Sequence, residues 1–207
     1  FARHFRKRGI DIAVDFKGDL RNSWFLWHVR SKMSLGYTDT GGSFFYTHPQ
    51  PSPTGVHQTE RSLQLISHLG CDSIILDEKE FNFKNQGAIV FHAGGSDSRR
   101  AWPENKWIKL AEILSKNHQI AIVKTPETAT LIEGMKEREF KVEIFDGHLV
   151  KFKNWLRNQK MLIGNDSMPG HLAAYLGIPT ISIFGSQDPK MTCPIGKWTT
   201  IIKPDES

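Results

Sequence analysis

The sequence predicts an α/β protein built on a parallel sheet with helices on both faces. Two observations carry that expectation. Between Gly87 and Phe184, five short apolar runs alternate with four segments of helical period. Polar, glycine-bearing turns follow two of those runs, at Gly94–Arg100 and Asn165–His171. Strands alternating with helices imply right-handed crossovers and a sheet covered on both sides.

Each element has its own signal. Ala88–Phe91 is a strand. Glu104–Lys116 is a helix, with Trp107, Ile108, Leu110, Ala111, Ile113 and Leu114 on a broad apolar face. Ile120–Val123 is a strand, Pro126–Lys136 a helix, Val142–Phe145 a strand and Leu149–Asn158 a helix. Met161–Ile163 begins a strand, turn and helix. Asn165, Asp166 and Ser167 are residues that start helices, and either Asp166 or Ser167 is expected to supply the capping bond. Pro169 suits a first turn and Gly177 a stop. Ile178–Phe184 is a β-branched strand closed by Gly185, and Asp188-Pro189 reads as a turn.

The first part of the chain is less regular. Phe1–Arg8 reads as the tail of a helix closed by Gly9, and Ile10–Phe16 as a strand by its alternation. Leu20–Val29 reads as a helix. Residues 34–56, rich in Gly, Pro, Ser and Thr, read as a long irregular connection. His57–Leu69 returns to helix, and residues 71–86 read as a linker. Two domains are therefore expected, 1–80 and 81–207. The chain opens on Phe1, and we expect its natural start to lie upstream.

Composition narrows the class. Of 207 residues, 39% are hydrophobic and 24% charged, ordinary for a globular protein. No apolar run approaches the roughly 20 residues that span a bilayer. Cys71 and Cys193 lack metal-ligand spacing, and reduced thiols are expected. The net charge of +5 suits phosphate-bearing partners or an anionic membrane surface, or is a solvated basic surface. Residues 1–40 hold eight Lys/Arg against four Asp/Glu, so the excess is partly local. Basic and aromatic residues do not interleave as in a nucleic-acid binder, and no nucleic-acid partner is expected.

The two glycine-bearing turns are the candidate site. In a doubly wound sheet, loops at the strands' C-terminal ends converge on one crevice. Gly94, Gly95 and Ser96 let backbone approach a ligand, and Arg99 or Arg100 can neutralise a diphosphate. Asp166 and Ser167 are either helix-start residues alone or ligand contacts as well. His171 is either a buried, hydrogen-bonded histidine or a ligand group. Asp15 and Asp19, at a strand end, are carboxylates of the kind that serve as bases but more often cap helices.

The segments FHAGGSDSRRAWPENKWIKLAEIL and NDSMPGHLAAYLGIPTISIFGSQDP resemble the carboxyl-terminal half of the heptosyltransferase-type glycosyltransferases, glycosyltransferase family 9. The resemblance spans about residues 88–190, with several motifs in order; IDIAVDFKGDLRN and HQTERSLQLISHLG are similar more weakly. It implies a GT-B fold of two Rossmann-like domains, the amino-terminal one incomplete here. It implies an inverting, metal-independent transfer of a sugar, heptose by resemblance, from an ADP-sugar to a lipopolysaccharide core precursor or related lipid-linked glycan. No cofactor is implied. Arg100 stands where the family has a basic residue before Trp-Pro and is assigned the leaving diphosphate; Arg99 competes for that role. Gly94, Gly95, Ser96 and Ser167 are assigned phosphate contact, Asp166 the sugar or the order of its loop, and Glu127 the ribose. Met168 replaces a family glycine, and Gly170 stands before His171. The general base is expected before Phe1. The resemblance implies a cytoplasmic protein, with peripheral contact at the inner membrane of a Gram-negative bacterium. Alternatives are the same fold acting on another donor, and a nucleotide-sugar-binding protein without turnover.

Overall fold

The computed structural model describes residues 1–39, 41–73, 87–95 and 101–203. The chain divides into two compact units, residues 1–74 and 75–207.

The first unit is a three-stranded parallel sheet, β1 (Ile12–Asp15), β2 (Met33–Tyr37) and β3 (His48–Gln50), in that order. Helices α1 (Ala2–Arg8), α2 (Leu20–Val29) and α3 (Gln58–Ser67) accompany it. Gly9 closes α1 at φ 66, a left-handed position that glycine takes without a Cβ penalty. Asp19 caps α2 by accepting from Asn22 N. The expected irregular connection over 34–56 is corrected here, since it contains β2 and β3. Glycine and serine obscured β2, yet each has a packing role. Gly36 leaves room for the Tyr46 ring, and the Ser34 hydroxyl accepts from Thr47 N at 2.9 Å. Pro49 is tolerated because β3 lies at the sheet edge. Leu35, Tyr37 and Leu65 form the core.

The second unit is a six-stranded, wholly parallel sheet. Its strands are β4 (Ile89–His92), β5 (Ile120–Val123), β6 (Val142–Phe145), β7 (Met161–Asn165), β8 (Thr180–Ile183) and β9 (Thr199–Ile202). Their order, β6-β5-β4-β7-β8-β9, is that of a doubly wound nucleotide-binding sheet, with its topological switch between β4 and β7. Helices α4 (Glu104–Leu114) and α5 (Ala129–Glu137) cover one face. Helices α6 (Leu149–Leu156) and α7 (Met168–Tyr175) cover the other. Strand parity explains the division. Ile89 and Phe91 meet Trp107 and Met135 on one side, while Val90 meets the side of Leu156 and Ala173. Two short elements went unpredicted: β9, and a four-residue helix α8 (Pro189–Thr192) where a turn was expected. Among the described residues no helix is long and apolar enough to cross a membrane, and Cys71 and Cys193 form no disulfide.

Candidate functional site at the switch between β4 and β7

The candidate site lies at the C-terminal ends of β4, β5 and β7. Asn165, the last residue of β7 and only 1% exposed, ties two segments together there. Its Oδ1 accepts the backbone N–H of Trp102 at 3.0 Å, and its Nδ2 donates to the carbonyl of Ala93 at 2.7 Å. The chain leaving β4 and the chain entering α4 are thus held to the end of β7. Trp102 then packs edge-on against Trp107 at 5.1 Å.

A cleft of about 560 Å³ opens beside this junction, lined by Ala93, Gly95, Trp102, Pro103 and Glu127 among others. Gly94 and Gly95 contribute differently. A Cβ on Gly94 would stand 2.6 Å from Thr125 Oγ1, so Gly94 permits close packing of one loop on the next. A Cβ on Gly95 would meet nothing within 4 Å among the described residues. Glu127 sits on the single 3-10 turn Pro126–Thr128 after β5, exposed to the cleft. The Thr125 hydroxyl, foremost, and its own backbone hold its carboxyl below the usual range; buried His92 adds a smaller effect. The cleft therefore presents an ionised carboxylate that accepts hydrogen bonds only.

In the turn after β7, Ser167 occupies the N-cap position of α7, but its side chain makes no capping bond. Its hydroxyl lies 3.1 Å from His92 Nδ1 instead. His92 is 6% exposed, and burial pushes its imidazole down to about 4. Its own backbone and Glu127 oppose that shift more weakly. His92 is therefore neutral at pH 7.

The other anticipated residues fall as follows. Asp166 is buried, with its N–H bonded to the Ile183 carbonyl at 3.0 Å. Met168 opens α7 with its side chain exposed and its backbone outside the positive-φ region. That position imposes no conformational need for glycine. A Cβ on Gly170 would face Pro194 and Ser182 at ordinary contact distance, within the protein rather than in the cleft. His171 is exposed on α7, which corrects the buried alternative. Ser96, Arg99 and Arg100 lie outside the described residues. In the first unit, Asp19 is committed to its cap. Asp15 is buried, accepting from Lys17 N, Gly18 N and Tyr46 Oη. Sequence reasoning missed His92 and the bridging role of Asn165. The available signal was a polar residue ending each of two otherwise apolar runs, IVFH and MLIGN.

Comparison with known proteins agrees with this architecture. Lipopolysaccharide heptosyltransferase 1 of Pseudomonas aeruginosa is 24% identical over 217 residues, covering 95% of this chain and 60% of that protein. The Campylobacter coli protein of the same name is 28% identical over 128 residues, covering 54% of this chain and 35% of its own. The chain thus spans 60% or less of the curated relatives it matches. Among solved structures, the E. coli heptosyltransferase WaaC with ADP superimposes with a TM-score of 0.79 at 19% identity, covering 98% of this chain and 70% of WaaC. A glycosyl transferase family 9 protein of Veillonella parvula gives 0.81 at 18% identity, covering 98% and 65%. These likenesses show a fold of GT-B type. The sequence profile of glycosyltransferase family 9 (heptosyltransferase) matches residues 1–207, and the chain belongs to that family.

Proposed function

We propose that the second unit holds the donor of a glycosyl transfer, an ADP-activated sugar with heptose as its sugar. The observation that supports the reading is the cleft beside the switch between β4 and β7, where the loops after β4 and β5 and the start of α4 enclose Gly95, Trp102 and an ionised Glu127. A sheet of this order binds nucleotides at that place by general rule. Glu127 accepts from the ribose hydroxyls. Gly94, Gly95 and Ser96 lie along the diphosphate, with Ser167 and the N-terminal end of α7. Arg100, or its neighbour Arg99, stabilises the charge that develops on the departing diphosphate. Asp166 engages the sugar or orders its loop.

The reaction is an inverting displacement at the anomeric carbon. An acceptor hydroxyl forms the new C–O bond as the bond to the diphosphate breaks. A carboxylate upstream of Phe1 takes the hydroxyl proton. No metal is required, because cationic side chains and backbone N–H groups carry the leaving-group charge. The acceptor is a lipopolysaccharide core precursor bound on the amino-terminal side. Exposed Trp24, Trp27 and Phe44, with the cations of α1, supply a peripheral contact with an anionic membrane surface.

The test is transfer by the full-length protein from ADP-heptose to a lipopolysaccharide core precursor lacking that sugar. ADP release matched to product, inverted anomeric configuration and insensitivity to a chelator are expected. Absence of both transfer and donor hydrolysis, with ADP still bound, indicates instead a nucleotide-sugar-binding protein and overturns the catalytic reading.

A further inference from the structure

His92 occupies the last position of β4, opposite Gly164 of β7 in the parallel register. A Cβ on Gly164 would stand 3.2 Å from His92 Cβ and 3.3 Å from its carbonyl oxygen, so the glycine lets β7 lie close against β4 at His92. By strand parity His92 falls on the same face as Val90, the side that α7 covers. An imidazole there meets the first residue before α7, and Nδ1 lies 3.1 Å from Ser167 Oγ.

A serine in the N-cap position ordinarily accepts from the helix's first N–H groups. Ser167 has the extended backbone of such a cap, φ −164 and ψ 173, yet makes no side-chain bond to α7. Its hydroxyl is drawn toward the strand instead. A hydroxyl has one proton, and a phosphate oxygen only accepts. For Ser167 to serve a phosphate, its proton must point outward and a donor must meet its lone pair from within.

We propose that His92 is a positioning residue of the donor site. With its proton on Nδ1, it donates to Ser167 Oγ and turns the Ser167 O–H toward a phosphate oxygen of the bound nucleotide. The same bond keeps the Ser167 hydroxyl off the first N–H groups of α7. His92 itself touches no ligand. The inference rests on the donor-site reading above.

The experiment is calorimetric titration of the full-length protein with ADP, using wild type, His92→Phe, Ser167→Ala and the double variant. Loss of one hydrogen-bonded donor predicts roughly tenfold weaker ADP binding in each single variant. The double variant is expected to be no weaker than either single one, because both remove the same interaction. His92→Asn, which can place an amide where Nδ1 stood, is expected to recover much of the affinity. A merely structural histidine would not give that pattern. Nitrogen-15 spectra of histidine-labelled wild type are expected to place the His92 proton on Nδ1. Unchanged ADP affinity in His92→Phe, additive losses in the double variant, or a proton on Nε2 would each overturn the inference. If wild type itself binds no ADP, the donor-site reading fails and takes this inference with it. If wild type binds and His92→Phe binds equally, only the inference falls.

Discussion

Asn165 Oδ1 accepts the backbone N–H of Trp102 at 3.0 Å, joining the end of β7 to the entry of α4. The same amide donates to Ala93, so one side chain holds both edges of the turn after β4. Asn165→Leu keeps the branched shape and removes both bonds. It is expected to destabilise the protein by about 2–4 kcal/mol, as two polar backbone groups lose their partner. Denaturant unfolding measures this, and ADP affinity should fall with it. An unchanged midpoint would show that the turn does not depend on this tie.

The neighbouring glycines separate packing from binding. Gly94→Ala drives a Cβ against Thr125, and overpacking of that kind costs about 1–3 kcal/mol. Adding Thr125→Ala should recover most of the loss. Gly95→Ala meets no atom of the described residues, so stability should hold while ADP affinity drops. Thermal unfolding and titration on the same samples distinguish the two.

His92 gives the second unit an acid-sensitive window. Its folded value of about 4 lies below the ordinary 6.5, so the unfolded chain binds the proton more readily. The stabilisation from burying a neutral ring is complete above pH 6.5 and is lost as the pH falls toward 4. The shift corresponds to a loss of about 3 kcal/mol across that window. Unfolding midpoints of wild type minus those of His92→Phe should trace this slope. Glu127, held below its usual range, and Asp19, lowered to about 2 chiefly by the backbone of Asn22 and by Lys17, shift in the carboxylate range below that window.

In the first unit, Tyr46 Oη donates to Asp15 at 2.7 Å while its ring covers Gly36. Tyr46→Phe removes a donor from a buried carboxylate and should cost about 1–3 kcal/mol. Gly36→Ala should be worse, because the added Cβ meets the ring rather than open space. Unfolding of the variants by circular dichroism tests the order.

These contacts mark the boundary of what the sequence disclosed. Ile120–Val123 was legible to the residue because it is a buried apolar run between clear punctuation, and Val142–Phe145, only partly buried at the sheet edge, because β-branched and aromatic residues flank its one polar position. β2 was not, since Ser34 and Gly36 look like loop until Thr47 and Tyr46, a dozen residues on, pack against them. Of the anticipated site, Glu127 lies in the cleft, while Ser167 read equally as a helix cap and as a ligand contact. Only the approach of His92, 75 residues away in the chain, shows where its hydroxyl goes. Local pattern reports the period of an element, and it cannot report a hydrogen bond between distant strands.

The most direct test of the central claim is titration of the full-length protein with ADP, beside Glu127→Ala and Asp166→Ala. Saturable binding is predicted, weakened clearly by Glu127→Ala, with Asp166→Ala impairing the sugar donor more than ADP. No binding by wild type, or binding that Glu127→Ala leaves untouched, would contradict the placement of the nucleotide in the cleft between the loops after β4 and β5.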